Sequence, residues 1–178
     1  MNPVLDFSAR VATLPVVHGS AEFARETRAR LHRADWDCLA VALPPSFAAP
    51  VEEAVERLPQ ISLVVQNEAT LDATCNYVPV DPCQAVIAAV REALETDVDR
   101  AYIDLEVAEY EAVEVDVPDP YALSMLPLEK FLVALLTRLP APAAGQRTRR
   151  IARMAHELHV LELQYERVIL VCSAADWP

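Results

Sequence analysis

Cys38-Leu39-Ala40-Val41-Ala42-Leu43 is apolar at every position and is stopped by Pro44-Pro45. A strand with one solvated face alternates apolar and polar residues, whereas one without a polar position is covered on both faces. Val11 to Val17, Ile61 to Val65 and Val168 to Cys172 are largely apolar runs of the same kind, and Ala101-Tyr102-Ile103-Asp104-Leu105 reads as a further strand. Helical patterns fill the gaps. Ser20 can cap a helix to about Arg33 with Phe23, Thr27 and Leu31 on one face. Pro50 opens a second, with Val51, Val55 and Leu58 inward. Asp81-Pro82 starts a third, with Cys83, Val86, Ile87, Val90 and Leu94 as its stripe. The alternation predicts an α/β fold: a mostly parallel central sheet, helices on both faces and a helical segment before the last strand. All five strands are expected to point their carboxyl ends to one rim, within a single domain spanning residues 1–178.

The second half changes character. Asp104 to Asp119 holds seven acidic residues and no basic one, partly alternating with Val113, Val115 and Val117. Charges of that kind suit a solvated strand edge. Helices are expected from Asp119-Pro120 to Leu139 and from about Gln146 to Tyr165, with Pro140 to Ala144 between them.

Charge and composition exclude several functions. The 178 residues carry 15 basic and 27 acidic side chains, a formal charge of -12. Such a surface repels phosphate backbones and anionic lipid, so neither nucleic acid nor a membrane is an expected partner. The two glycines, Gly19 and Gly145, cannot build a GxGxxG or GxxxxGK[ST] phosphate cradle. Lys130 is the only lysine, which leaves little room for Schiff-base chemistry. No serine sits in a G-x-S-x-G elbow. No apolar run is long enough to span a bilayer, and Asp6 interrupts what a secretory signal would need, so a cytoplasmic location is expected. Cys38, Cys75, Cys83 and Cys172 have no zinc-ligand spacing and read as free, buried thiols.

In open parallel sheets, ligands bind outside the carboxyl ends of the strands. The polar residues expected there are His18, Glu68, Asp104, Glu106 and Asp176. One histidine and several carboxylates converging on a rim could hold a divalent metal or perform acid–base work. His156-Glu157-Leu158-His159 is a weaker metal candidate. At about 100° per residue both histidines lie opposite the stripe Ile151, Met154, Leu158, Leu161 and Tyr165. Arg147, Arg149, Arg150 and Arg153 begin the same helix, where cations oppose the macrodipole and call for compensation. The acidic run is the expected partner, within the chain or across a homo-oligomer.

Two stretches carry a family resemblance: Val16-Val17-His18-Gly19-Ser20-Ala21-Glu22-Phe23-Ala24-Arg25-Glu26 and Trp36-Asp37-Cys38-Leu39-Ala40-Val41-Ala42-Leu43-Pro44-Pro45. They resemble the opening of the TraB/Tiki and ChaN/erythromycin-esterase-like superfamily. Ile103-Asp104 is similar to its mid-chain aspartate motif, and Val171-Cys172-Ser173-Ala174-Ala175-Asp176 to its closing strand. The resemblance implies a metal-dependent peptidase, esterase or haem-binding ancestry. It implies catalytic roles for His18, Asp104 and Asp176; with Glu68, added for its place at a strand end, these are the expected ligands of a weakly bound divalent metal. Departures stand beside the matches. Pro15 replaces a glycine, Ala42 a catalytic glutamate, Ser173 a glycine and Asp176 a histidine. The expected function is therefore a catalytically weak or inactive relative serving as a binding or regulatory module, with a protein partner or self-association open. The alternative is a metal-dependent hydrolase using the His/carboxylate cluster.

Overall fold

The computed structural model describes residues 5–66, 75–142 and 144–177. Its main sheet has four strands: β1 (Val11–Val16), β2 (Cys38–Val41), β5 (Asp99–Tyr102) and β6 (Val168–Ser173). Their order is β1-β6-β2-β5 and every pairing is parallel. The strand formed last in the chain thus lies between β1 and β2, and it is buried over Val168 to Cys172.

The reason these strands carry no polar face is visible in their two sets of contacts. Leu14 and Val16, Leu39 and Val41, and Ile169 and Val171 face one core. That core also takes side chains from α1 (Ala21–His32), α2 (Ala48–Glu56), α3 (Ala85–Glu95) and α4 (Leu128–Leu136). Phe23 of α1 meets Phe131 of α4 edge-to-face, with ring centroids 5.6 Å apart. Cys38, Ala40, Val168, Leu170 and Cys172 face the opposite side, where Met154 and Leu158 of α5 (Gln146–Gln164) cover them. Alternate residues of each strand therefore serve two different cores, and both alternations must be apolar.

Three expectations need correction. Ile61 to Val65 does not join the main sheet. Ser62–Val65 forms β3, which pairs antiparallel with β4 (Tyr77–Val80) in a separate two-stranded sheet. Its burial alternates, with Leu63 and Val65 outward, so the run is half-covered rather than doubly covered. The rim consequently gathers four strand ends instead of five. Cys83 is exposed, not part of a core stripe. The Asp81 carboxylate accepts from Cys83 N at 2.7 Å and closes a turn there, so α3 begins only at Ala85. Cys75 is exposed as well, whereas Cys38 and Cys172 are buried free thiols as expected. Finally, the valine-rich acidic run forms no strand; residues between Leu105 and Val117 instead line the rim as a strap.

α1 starts as its sequence suggests, with the Ser20 hydroxyl accepting from Phe23 N. Pro120–Ser124 forms a 3-10 turn, capped by Asp119, ahead of α4. No helix among the described residues is long and apolar enough to cross a membrane.

Candidate functional site

The carboxyl ends of β1, β2, β5 and β6 open into one cleft of about 550 Å³. His18 follows β1, Ala42 and Leu43 follow β2, Asp104 follows β5, and Ser173 and Asp176 close β6; all line this cleft. The structure thus places His18, Asp104 and Asp176, three of the five residues expected at the strand ends, around one cleft. Glu68 lies outside the described residues. Glu106 is committed elsewhere, accepting from Ser46 N at 2.8 Å and from the Ser46 hydroxyl at 2.9 Å.

The centre of the site is Arg150, which is only 3 % exposed. Its Nε donates to both Asp104 oxygens at 3.1 and 3.0 Å, and its Nη2 to Asp104 Oδ2 at 2.5 Å. The same Nη2 reaches Asp176 Oδ2 at 3.0 Å, and Nη1 reaches Asp176 Oδ1 and the Tyr110 hydroxyl, each at 3.3 Å. The guanidinium carbon also sits 4.7 Å from the Tyr110 ring centroid. Burial works against the guanidinium charge, but the hydrogen bonds to Asp104 and the charges of Asp176 and Asp104 outweigh it, raising the Arg150 pKa. Asp176 is tuned the other way. Burial lifts its carboxyl above the ordinary range, and Arg150 offsets only part of that. Arg147 stands 4.0 Å from Asp176 and donates to the carbonyls of Pro140 and Ala175.

Of the four arginines at the start of α5, Arg150 is the one shown paired with a member of the acidic run, Asp104, while Arg147 stands near Asp176, outside that run. Arg153 instead pairs with Glu157 one turn along its own helix.

His18 is exposed by area, yet the walls of the cleft desolvate it and lower its pKa. Asp176 opposes that effect and Arg150 adds to it. The ring is therefore neutral at pH 7, and among the described residues it has no hydrogen-bond partner. Among the described residues, no three His, Cys, Asp or Glu side chains are grouped to hold a metal. The two carboxylates that could have contributed are turned onto Arg150. His156 and His159 are both exposed, on the side of α5 away from the sheet.

The strap over the cleft is pinned by two side-chain amides. Asn76 accepts from Tyr110 N at 2.9 Å and donates to the Val107 carbonyl at 2.8 Å. Gln146 accepts from Glu111 N at 2.9 Å and donates to the Glu109 carbonyl at 2.6 Å. Each amide mimics a strand neighbour for a backbone that has none. Asn76, Gln146 and Tyr110 were not singled out in the sequence, and Arg150 was placed only in a basic cluster. The signal for Arg150 was present: Gln146, Arg150, Met154 and Leu158 recur every fourth residue and are the buried row of α5.

Compared with protein-family models, curated proteins and solved structures, the chain matches none.

Proposed function

We propose that the chain is a small-molecule binding module, a divergent relative of the hydrolase-like superfamily it resembles, in which the rim cleft receives a ligand and performs no metal-dependent hydrolysis. The observation that carries this reading is the seat of Arg150 between Asp104 and Asp176. Freeing either carboxylate for a metal or a proton transfer means unpairing a buried charge, at about 3–5 kcal/mol. That corresponds to roughly a hundredfold or greater loss of the competent state. Ala42 offers no carboxylate in compensation. A cleft of about 550 Å³ with largely apolar walls and a few polar groups is, by contrast, what small-molecule sites have.

The test is ligand-observed NMR of the purified chain against neutral aromatic fragments, with metal analysis on the same sample. Binding that is lost in Val107→Trp, where the bulkier side chain fills the cleft from the strap, supports the reading. Stoichiometric bound metal, or ester hydrolysis abolished by Asp104→Asn, refutes it.

A second reading, a metal-dependent hydrolase, is favoured by one fact: His18, Asp104 and Asp176 do line a common cleft. It requires Arg150 to swing out when metal arrives. On that reading Ala42→Glu combined with Asp176→His raises divalent-metal affinity in calorimetry.

A further inference from the structure

The charge inventory of the cleft says what kind of ligand it would take. Among the described residues, three acidic ones line it, Asp104, Glu109 and Asp176, against one arginine, Arg150. Arg150 has nothing left to offer an anion. Its donors are used on Asp104, Asp176 and the Tyr110 hydroxyl, and its face lies near the Tyr110 ring. An incoming carboxylate or phosphate would have to displace one of those partners and would meet the remaining carboxylates at close range. Arg147 does not line the cleft; its Nε stands 4.0 Å from Asp176 and its Nη groups serve the carbonyls of Pro140 and Ala175.

A cation meets the opposite situation. Glu109 is exposed on the strap at the cleft wall, and the whole chain carries a charge of -12, so positive ligands are drawn toward it. His18, neutral, lining the cleft and without a hydrogen bond among the described residues, has a ring nitrogen that can accept from an ammonium. The remainder of the wall is apolar, with Leu43, Phe47, Val78, Val86, Ile87 and Leu105 among its residues. Apolar surroundings strengthen each charge interaction at the polar end.

We propose that the cleft takes a small organic cation, an amine joined to an apolar body, with the ammonium directed to His18 and Glu109 and the body against the Leu43, Phe47 and Ile87 side of the wall. This rests on the reading of the cleft as a small-molecule site and adds the sign of the ligand.

Three probes of nearly equal shape separate the two claims: 2-phenylethylamine, 2-phenylethanol and 3-phenylpropanoate, titrated by NMR at pH 7 in low salt. The amine is expected to bind about tenfold more tightly than the carboxylate, an advantage that shrinks as salt is added. In Glu109→Gln, the preference for the amine over the alcohol is expected to fall by about threefold. Val107→Trp is expected to abolish all binding, which locates the site. Equal or tighter binding of the carboxylate overturns the proposal while leaving a small-molecule site standing. Failure of all three probes at millimolar concentration overturns both.

Discussion

Replacing Arg150 with methionine keeps most of the side-chain volume and removes all five N–H donors at once. What remains is two carboxylates, Asp104 and Asp176, each with a side chain at most 3 % exposed. Both had been bonded to the same nitrogen, at 2.5 and 3.0 Å, so they are close neighbours without their counter-ion. Breaking a buried pair by deleting one partner costs about 3–5 kcal/mol, most of it the penalty on the charges left behind. For a chain of this size, that lowers the melting temperature by roughly 6–20 °C.

The pH dependence identifies the cause. Two adjacent buried carboxylates cannot both ionise cheaply, so one takes a pKa raised well above its unfolded value. The folded state then binds a proton that the unfolded state does not, and folding stability rises as pH falls through that window. Asp176 already leans this way in the native chain, its pKa raised by burial against the opposing Arg150. The deficit of Arg150→Met relative to the native chain is therefore expected to be largest near pH 7.5 and to shrink toward pH 5, measured by urea denaturation across that range. Should Arg150→Met not fold, Arg150→Gln provides the same comparison, since a neutral amide also leaves both carboxylates without a counter-charge. Adding Asp176→Asn to Arg150→Met is expected to restore part of the loss by removing one of the stranded charges. A deficit under about 1 kcal/mol, or one independent of pH, would refute the argument that Arg150 is held by charge balance.

Asn76→Ala removes the anchor for Tyr110 N and the Val107 carbonyl and is expected to cost about 1–2 kcal/mol. Amide exchange at Tyr110 should quicken in that variant; unchanged protection would show that the strap is held elsewhere. Cys75 and Cys83 should react with a thiol reagent in the native protein, whereas Cys38, pushed up to about 12 by burial, and Cys172, raised by the same cause, react only on unfolding. Fast reaction of more than two thiols sinks that expectation. Changing both His156 and His159 to alanine should leave metal content and oligomeric state as they were, because both rings are exposed on the face away from the sheet. Zinc lost from the double variant would contradict it.

The parallel sheet was legible because its signal is redundant. Each strand serves two cores, so Cys38-Leu39-Ala40-Val41 or Val168 to Cys172 contains no residue that could be mistaken for a solvated one. β3 lacks that redundancy. Leu63 and Val65 are apolar yet exposed, so the run imitates a doubly covered strand while only Ser62 and Val64 turn inward. Its partner was hidden by Pro79, a residue that cannot donate to a ladder and argues against a strand in most settings. Here Pro79 faces Leu63 in a two-stranded sheet, where one edge of each strand is free. The rim residues His18, Asp104 and Asp176 were found by position alone, since a parallel sheet delivers its strand ends to one side. What occupies them was not. A stripe drawn through Ile151 and Met154 starts one turn too late, and the polar residues Gln146 and Arg150 look like the exposed entrance of a helix. They are buried because α5 leads antiparallel into β6, which brings its first turns to the carboxylates at the rim.

That geometry links two features that look independent in the sequence. On the proposed kinship with a hydrolase-like superfamily, the end of the second strand would carry a glutamate; Ala42 stands at that strand end here and lines the cleft. With a third carboxylate beside Asp104 and Asp176, a single guanidinium would leave two buried negative charges unbalanced, and a divalent ion would be the better counter-charge. With alanine there, two carboxylates and one arginine leave a single residual charge, and Arg147 at 4.0 Å from Asp176 offsets part of it. The small side chain at 42 and the buried arginine at 150 are thus parts of one electrostatic arrangement. A metal in this cleft would need Arg150 to leave the two carboxylates, and a carboxylate at position 42 would favour that exchange. Ala42→Glu alone leaves a surplus of carboxylates around a fully used arginine, and loss of Arg150 alone leaves two buried carboxylates without a counter-charge.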